Sequence, residues 1–162
     1  MTSTDVHTDS ANSAMPGAGD MRLEVAILPV SDVDRAKAFY QKLGWRLDAD
    51  FVISDDFRVL QLTPPGSPAS IIFGKGIRDV APGSAERMVL VVQNIDAARA
   101  DLVGRGVDVS EVFHGTGFRG VSTGRVPGPD PERRPYSSFA SFTDPDGNEW
   151  VMQEITQRLP GR

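Results

Sequence analysis

His114 is the one histidine beyond the first twenty residues, and its side-chain type exchanges a proton near neutral pH. It ends an expected strand, Val107 to His114, so a general acid or base role is open to it. No carboxylate or nucleophile stands at a recognisable spacing to pair with it, and the plainer reading is a histidine capping a strand end. Three further patterns suggest chemistry and fail on their surroundings. Gly115-Thr116-Gly117-Phe118-Arg119-Gly120 matches a dinucleotide-binding pattern, but Gly124, Pro127 and Pro129 follow where a helix would have to hold the pyrophosphate. Gly120-Val121-Ser122-Thr123-Gly124 matches a nucleophile elbow, which again needs a helix after the serine and a histidine downstream. His7 and His114 both lie upstream. The run from Asp144 to Ile155 hints at a calcium loop, yet Gly147 occupies its fourth place instead of its sixth, and Ile155 replaces the closing glutamate. It reads as a turn.

Composition excludes further classes. The 162 residues contain no cysteine, which rules out a disulfide framework, a thiolate metal site and a cysteine nucleophile, and fits a cytoplasmic protein. A net charge of −5 gives no general attraction for a phosphate backbone, so nucleic acid is not an expected partner. No apolar run is long enough to span a membrane, and residues 1–20 lack the basic and apolar regions of a secretory signal. That segment, rich in Ser, Thr, Asp and Gly, reads as a disordered tail, with Met21 an alternative start of translation. Residues 157–162 read as a second, shorter tail, leaving a single domain over residues 21–156.

The elements that must position any site come from a sentence stated twice. Val30-Ser31-Asp32-Val33-Asp34-Arg35-Ala36-Lys37-Ala38 returns as Val92-Gln93-Asn94-Ile95-Asp96-Ala97-Ala98-Arg99-Ala100, offset by 62 positions throughout. Each copy reads as strand then helix. Leu23 to Val30 is the first strand; Ser31 or Asp32 caps a helix whose apolar face is Val33, Ala36, Phe39, Tyr40 and Leu43, ended by Gly44. Met88 to Val92, an Asn94 cap, Ile95, Ala98 and Leu102, then Arg105 and Gly106, repeat the order. Three short strands follow each helix: Trp45 to Val52, Phe57 to Thr63 and Ala69 to Phe73, then Val107 to His114, Ser138 to Thr143 and Glu149 to Glu154. The fold class is therefore α+β, with two βαβββ modules in tandem over about 21–78 and 84–156. With too few helices to cover both sheet faces, the sheets curve into a cup. The Gly-, Pro- and Arg-rich stretch from Gly115 to Pro135 reads as a loop able to cover that cup, carrying Phe118, Arg119, Arg125 or Tyr136 to a ligand, while Arg133 and Arg134 make surface pairs with Asp130 and Glu132.

The pattern from Val30 to Trp45, its echo in the second half, and the terminal Asp144-Pro145-Asp146-Gly147-Asn148-Glu149-Trp150 resemble the vicinal oxygen chelate superfamily of glyoxalase I, bleomycin resistance proteins and extradiol dioxygenases. The resemblance covers residues 21–156. It implies a glyoxalase/bleomycin resistance/dioxygenase-like cup, a homodimer, a small ligand and, in many members, one divalent metal. In metal-dependent members the ligands are His or Glu on the first and last strands of each module. Carried over by position, those places fall on Val25, Arg87, Val151 and Ile71 or Ile72, none able to hold a metal. Glu24 and Glu86 stand one residue off and so on the opposite strand face; Glu149 shares a face with Val151 but lies nearer the turn.

Neither metal nor cofactor is expected. Two functions remain open beside a minor one in protein interaction. The favoured one is a metal-independent binding protein whose cup, lined by Val25, Ile27, Trp45, Phe57, Phe73, Met88, Phe139 and Trp150, with Arg87 at its edge, holds a small aromatic or lipophilic molecule. Part of this set is expected to be plain core. The alternative is an enzyme, lyase, isomerase or dioxygenase-like, either metal-independent, with Arg87 clamping an anionic substrate and His114 as acid or base, or a lyase or isomerase with a rearranged metal site.

Overall fold

The computed structural model describes residues 15–77, 79–115 and 124–160. Its first half runs β1 (Val25–Ile27), α1 (Val33–Lys42), β2 (Arg46–Ser54), β3 (Phe57–Thr63) and β4 (Ser70–Lys75). Its second half runs β5 (Met88–Val92), α2 (Ile95–Gly104), β6 (Phe113–His114), β7 (Val126–Pro127), β8 (Ser138–Thr143) and β9 (Glu149–Glu154). The two helices start by one device. Asp32 and Asn94 hold extended backbone, and their side-chain oxygens accept from the amides of Arg35 at 3.0 Å and Ala97 at 2.9 Å. Each thus satisfies a helix N–H that would otherwise lack a partner.

Sheet one has the order β1-β4-β3-β2 and sheet two β5-β9-β8-β6-β7. In each, the strand before the helix pairs parallel with the last strand of its half, β1 with β4 and β5 with β9, while the others pair antiparallel. Three strands differ from the sequence expectation. β1 is shortened to Val25–Ile27 because Pro29 has no N–H for the ladder. The expected strand from Val107 survives only as Phe113–His114 plus a bridge from Val109 to Phe142. There the Ser110 hydroxyl accepts from the Ser141 amide at 2.9 Å, taking the place of a backbone carbonyl. β7 is a strand that the sequence did not announce.

The helix-bearing faces of both sheets close on one core. Leu60, Leu62, Ile71 and Phe73 of sheet one meet Ala140, Phe142, Trp150 and Met152 of sheet two around Tyr40, Trp45 and the apolar faces of the helices. Tyr40 and Trp45 stand 5.0 Å apart between ring centroids, and Trp45 meets Trp150 edge to face at 5.1 Å. Beneath these rings lies a buried polar knot. The Tyr40 hydroxyl donates to Asp144 Oδ2 at 2.8 Å and accepts from Trp150 Nε1 at 3.0 Å. Asn148 Nδ2 donates to Asp144 Oδ2 and to the Pro29 carbonyl, and Asn148 Oδ1 accepts from the Ala85 amide. Burial, and next the Asp144 charge, drive the Tyr40 phenol far above its ordinary pKa, so it stays a donor. The motif from Asp144 to Trp150 is thus a clasp between the halves. Gly147 turns it with φ +97°, and Gly83, at φ +79°, packs so close that a Cβ would sit 2.0 Å from the Asp146 carbonyl.

A second buried carboxylate shapes the segment before β8. Asp130, 1% exposed, accepts from the backbone N–H and Nε of Arg134 at 3.0 Å each, and from Nη2 at 2.6 Å. Its own amide donates to Ser138 Oγ at 2.9 Å. Arg133, expected to pair with its sequence neighbours, instead reaches Glu154, at 3.0 Å, and Asp96. A left-handed backbone at Arg133, φ +52°, accompanies that turn away from Asp130. Arg134 takes the expected partners, although one of them, Asp130, is buried instead of lying at the surface.

Two outcomes follow from these knots. Asp144→Ala strands the Tyr40 hydroxyl and the Asn148 amide, and urea unfolding should show a loss of about 3 kcal/mol. The Arg134 hydrogen bonds hold the Asp130 carboxyl at about 2, below its ordinary 3.8. The stability this contributes is complete above pH 3.8 and is lost as pH falls through about 2. In Arg134→Met only backbone donors remain, so the acid limb of the stability curve, followed by thermal melts, should move to higher pH.

Candidate functional site: the open sheet faces

Because the helix-bearing faces share the core, the opposite faces of the two sheets look away from it, and strand alternation decides what stands there. On sheet one the register pairs Val25 with Ser70 and Ile27 with Ile72, opposite in parity to the core residue Ile71. On sheet two it pairs Val89 with Val151 and Phe139 with Gln153, opposite in parity to Met152 and Trp150. These open faces carry aliphatic side chains that remain accessible: Ile27 at 39%, Val89 at 55% and Val91 at 50%.

The expected cup lining therefore divides. Val25 and Ile27 stand on the open faces, and so does Phe57 by alternation with Leu60 at the start of β3; Phe139 shares that side of its sheet but is buried, 7% exposed, against Phe113. Trp45, Phe73 and Trp150 do not; all are at most 6% exposed and lie in the core, with Met88 packed against it. The register explains each move, since Phe73 faces Leu60, and Trp150 pairs with both Phe142 and Met88. Tyr136 is also buried, at 6%. Phe118 and Arg119 lie outside the described residues.

His114 is corrected in the same way. It pairs with Ser138, two residues before the core residue Ala140, so it stands on the helix-bearing side and not in the cup. Its Nδ1 lies 2.8 Å from the Gly128 carbonyl, which commits that nitrogen to donating. Arg87 holds a left-handed φ of +53° immediately before β5, where the kink interrupts strand alternation. Glu86, not Arg87, lines the hollow beside it.

That hollow, about 550 Å³, occupies the turn end of sheet two's open face and is walled by Glu86, Asp108, Glu149, Ser110, Ser141 and Thr143. At the other end, Phe113 stacks on Phe139 with centroids 5.6 Å apart and 24° between planes. Arg125 Cζ lies 4.2 Å from the Phe113 ring centroid. Sequence reasoning passed over Phe113, because its parity with the core residues Val107 and Val109 points to the opposite face, and only its pairing with Phe139 places it here. On sheet one, polar groups hydrogen-bond to one another: Thr63 to Asp48, Thr63 to Ser70 at 2.6 Å, and Gln61 Nε2 to Ser70 Oγ at 3.2 Å.

Divalent metal does not fit the positions that the family resemblance assigns to it. Val25, Ile72 and Val151 offer no lone pair on the open faces, and Arg87 brings a positive charge. Among the described residues no three His, Cys, Asp or Glu side chains are grouped to hold an ion. Nor, among them, is any helix long and apolar enough to cross a membrane.

Comparison with known proteins agrees with the architecture. The family model for the Glyoxalase/Bleomycin resistance protein/Dioxygenase superfamily matches residues 22–152. Among solved structures, TnmS3, an antibiotic binding protein from Streptomyces sp. CB03234, is 28% identical with a TM-score of 0.63, the match covering 86% of this chain and 99% of that one. A glyoxalase/bleomycin resistance protein from the same organism is 29% identical with a TM-score of 0.60, covering 82% and 100%. A superfamily member from Sphaerobacter thermophilus DSM 20745 is 25% identical with a TM-score of 0.61, covering 83% and 98%. No curated protein matches the chain. With its two α+β halves, their parallel-closed sheets and a match over most of its length, the chain belongs to the glyoxalase/bleomycin resistance protein/dioxygenase superfamily.

Proposed function

We propose that this protein binds a small aromatic or lipophilic molecule without a metal, in a cup completed by a second copy of the chain. The observation that carries this reading is the replacement of metal-ligand chemistry by aliphatic surface: Val25, Ile72 and Val151 share the open faces with exposed Ile27, Val89 and Val91. Covering a half-exposed aliphatic side chain of this size contributes about 1 kcal/mol. Several such side chains supply affinity for an apolar ligand or a partner surface, while the hydroxyls and carboxylates around them orient it.

The two open faces look away from a shared core, so one chain offers two half-cups and a homodimer brings such halves together. Similarity to an antibiotic binding protein supports a small-molecule ligand. Residues 21–156 form the binding domain in this reading, the segments on either side being tails. Catalysis draws less support, because the one histidine proposed for it stands on the helix-bearing side with Nδ1 bonded to a carbonyl. The cytoplasm, where cysteine-free chains are at no disadvantage, is the compartment this reading assumes.

Native mass spectrometry with metal quantification tests the proposal. The expected result is a dimer that releases a small organic molecule on denaturation and carries far less than one divalent ion per chain. One divalent ion per chain, with ligand binding abolished by chelation, would overturn it.

A further inference from the structure

The two ends of sheet two's open face carry opposite charge. At the turn end stand Glu86, Asp108 and Glu149 around the hollow. At the other end β6 pairs with β7 so that Pro127 lies opposite Phe113, and Arg125, two residues before Pro127, projects on the same face. Its guanidinium lies over the Phe113 ring, which the buried Phe139 backs from the neighbouring strand. Phe139 pairs in turn with Gln153, whose Nε2 is spent on the Tyr136 carbonyl at 3.1 Å, leaving its amide oxygen as an acceptor.

Unlike Arg125, Arg35, Arg46, Arg58, Arg99, Arg105, Arg133 and Arg134 each pair with a carboxylate. Among the described residues no carboxylate pairs with exposed Arg125, and the sequence from Val112 to Pro129 contains no Asp or Glu. A guanidinium held over an aromatic ring spends none of its N–H groups on that contact, and they form the fork that matches an oxyanion. In a chain of net charge −5, such an unneutralised cation on a ligand-facing aromatic surface is a recognition group.

We infer that Arg125, Phe113 and Phe139 form the specificity-determining end of the cup, selecting a planar aromatic ligand that bears an anionic group. The ring lies along Val151 and against the edge of Phe113, the anion meets the Arg125 guanidinium, and the carboxylates at the turn end repel the opposite orientation. This rests on the binding reading above and adds a charge and a direction to it.

Calorimetric titration of the intact protein with three matched probes tests it: 2-naphthoate, neutral 2-naphthalenemethanol and the 2-naphthylmethylammonium cation. Naphthoate should bind about tenfold more tightly than the alcohol, and the ammonium most weakly. Arg125→Gln should bring naphthoate and the alcohol to within about twofold of each other, and an unchanged thermal melting midpoint shows that the fold is intact. Arg125→Lys should restore part of the preference, since it returns the charge but not the fork. If the alcohol binds but naphthoate gains nothing, or the gain survives in Arg125→Gln, this inference falls and the binding reading stands. If none of the three probes binds the folded protein, both fall together.

Discussion

The buried Asp144 carboxylate is the constraint on which the rest depends. It lies 4% exposed between the halves, and an uncompensated charge there would be prohibitive. Tyr40 from α1, two backbone amides of its own turn and the Asn148 side chain all donate to it. Three of these donors belong to its own turn; the fourth, the Tyr40 hydroxyl, lies 104 residues away in the chain and reaches it only when the halves are together. That arrangement brings α1 against sheet two, clamps Asn148 to Pro29 beside β1, and fixes the aromatic cluster of Tyr40, Trp45 and Trp150. Apolar burial supplies most of the stabilisation, but it is not directional; the carboxylate and its donors specify which faces of the two sheets meet.

Once the helix-bearing faces are locked together, strand parity assigns the residues of the regular strands β1, β4, β5, β8 and β9. A side chain of the parity of Leu60, Phe73, Trp150 or Met152 belongs to the core, and one of the parity of Val25, Val89, Val151 or Phe139 belongs to the open surface. The surface so produced is chemically graded, from carboxylates and hydroxyls at the turn end, through aliphatic residues, to stacked phenylalanines under an arginine. A graded surface suits recognition of a molecule with two unlike ends better than it suits a metal centre, which needs donors converging on one point.

Much of this architecture is legible in the order of residues alone. The 62-residue offset between the two cap sequences sets the order of elements, and both caps, Asp32 and Asn94, act as their residue types imply. Helices and hairpins are local, so their signals lie in nearby residues. The aromatic residues of the site are less legible. Trp45, Phe73 and Trp150 have the composition of a ligand cage and the location of a core, because an apolar ring serves either purpose and parity is known only when a register is known. Phe113 escapes notice because the strand holding it is two residues long and is fixed by its neighbours β7 and β8.

By itself, then, the sequence determined the duplicated order of strands and helices, the caps and turns that bound them, and the absence of ligating side chains at Val25 and Val151, since each depends on residue type and short-range spacing. Only the tertiary structure decided that the two halves join through their helix-bearing faces. It also turned His114 inward, placed Glu86 instead of Arg87 beside the hollow, and set Arg125 over Phe113. These outcomes rest on contacts between residues distant in the chain and on a single left-handed residue before β5, and neither leaves a periodic trace in the sequence.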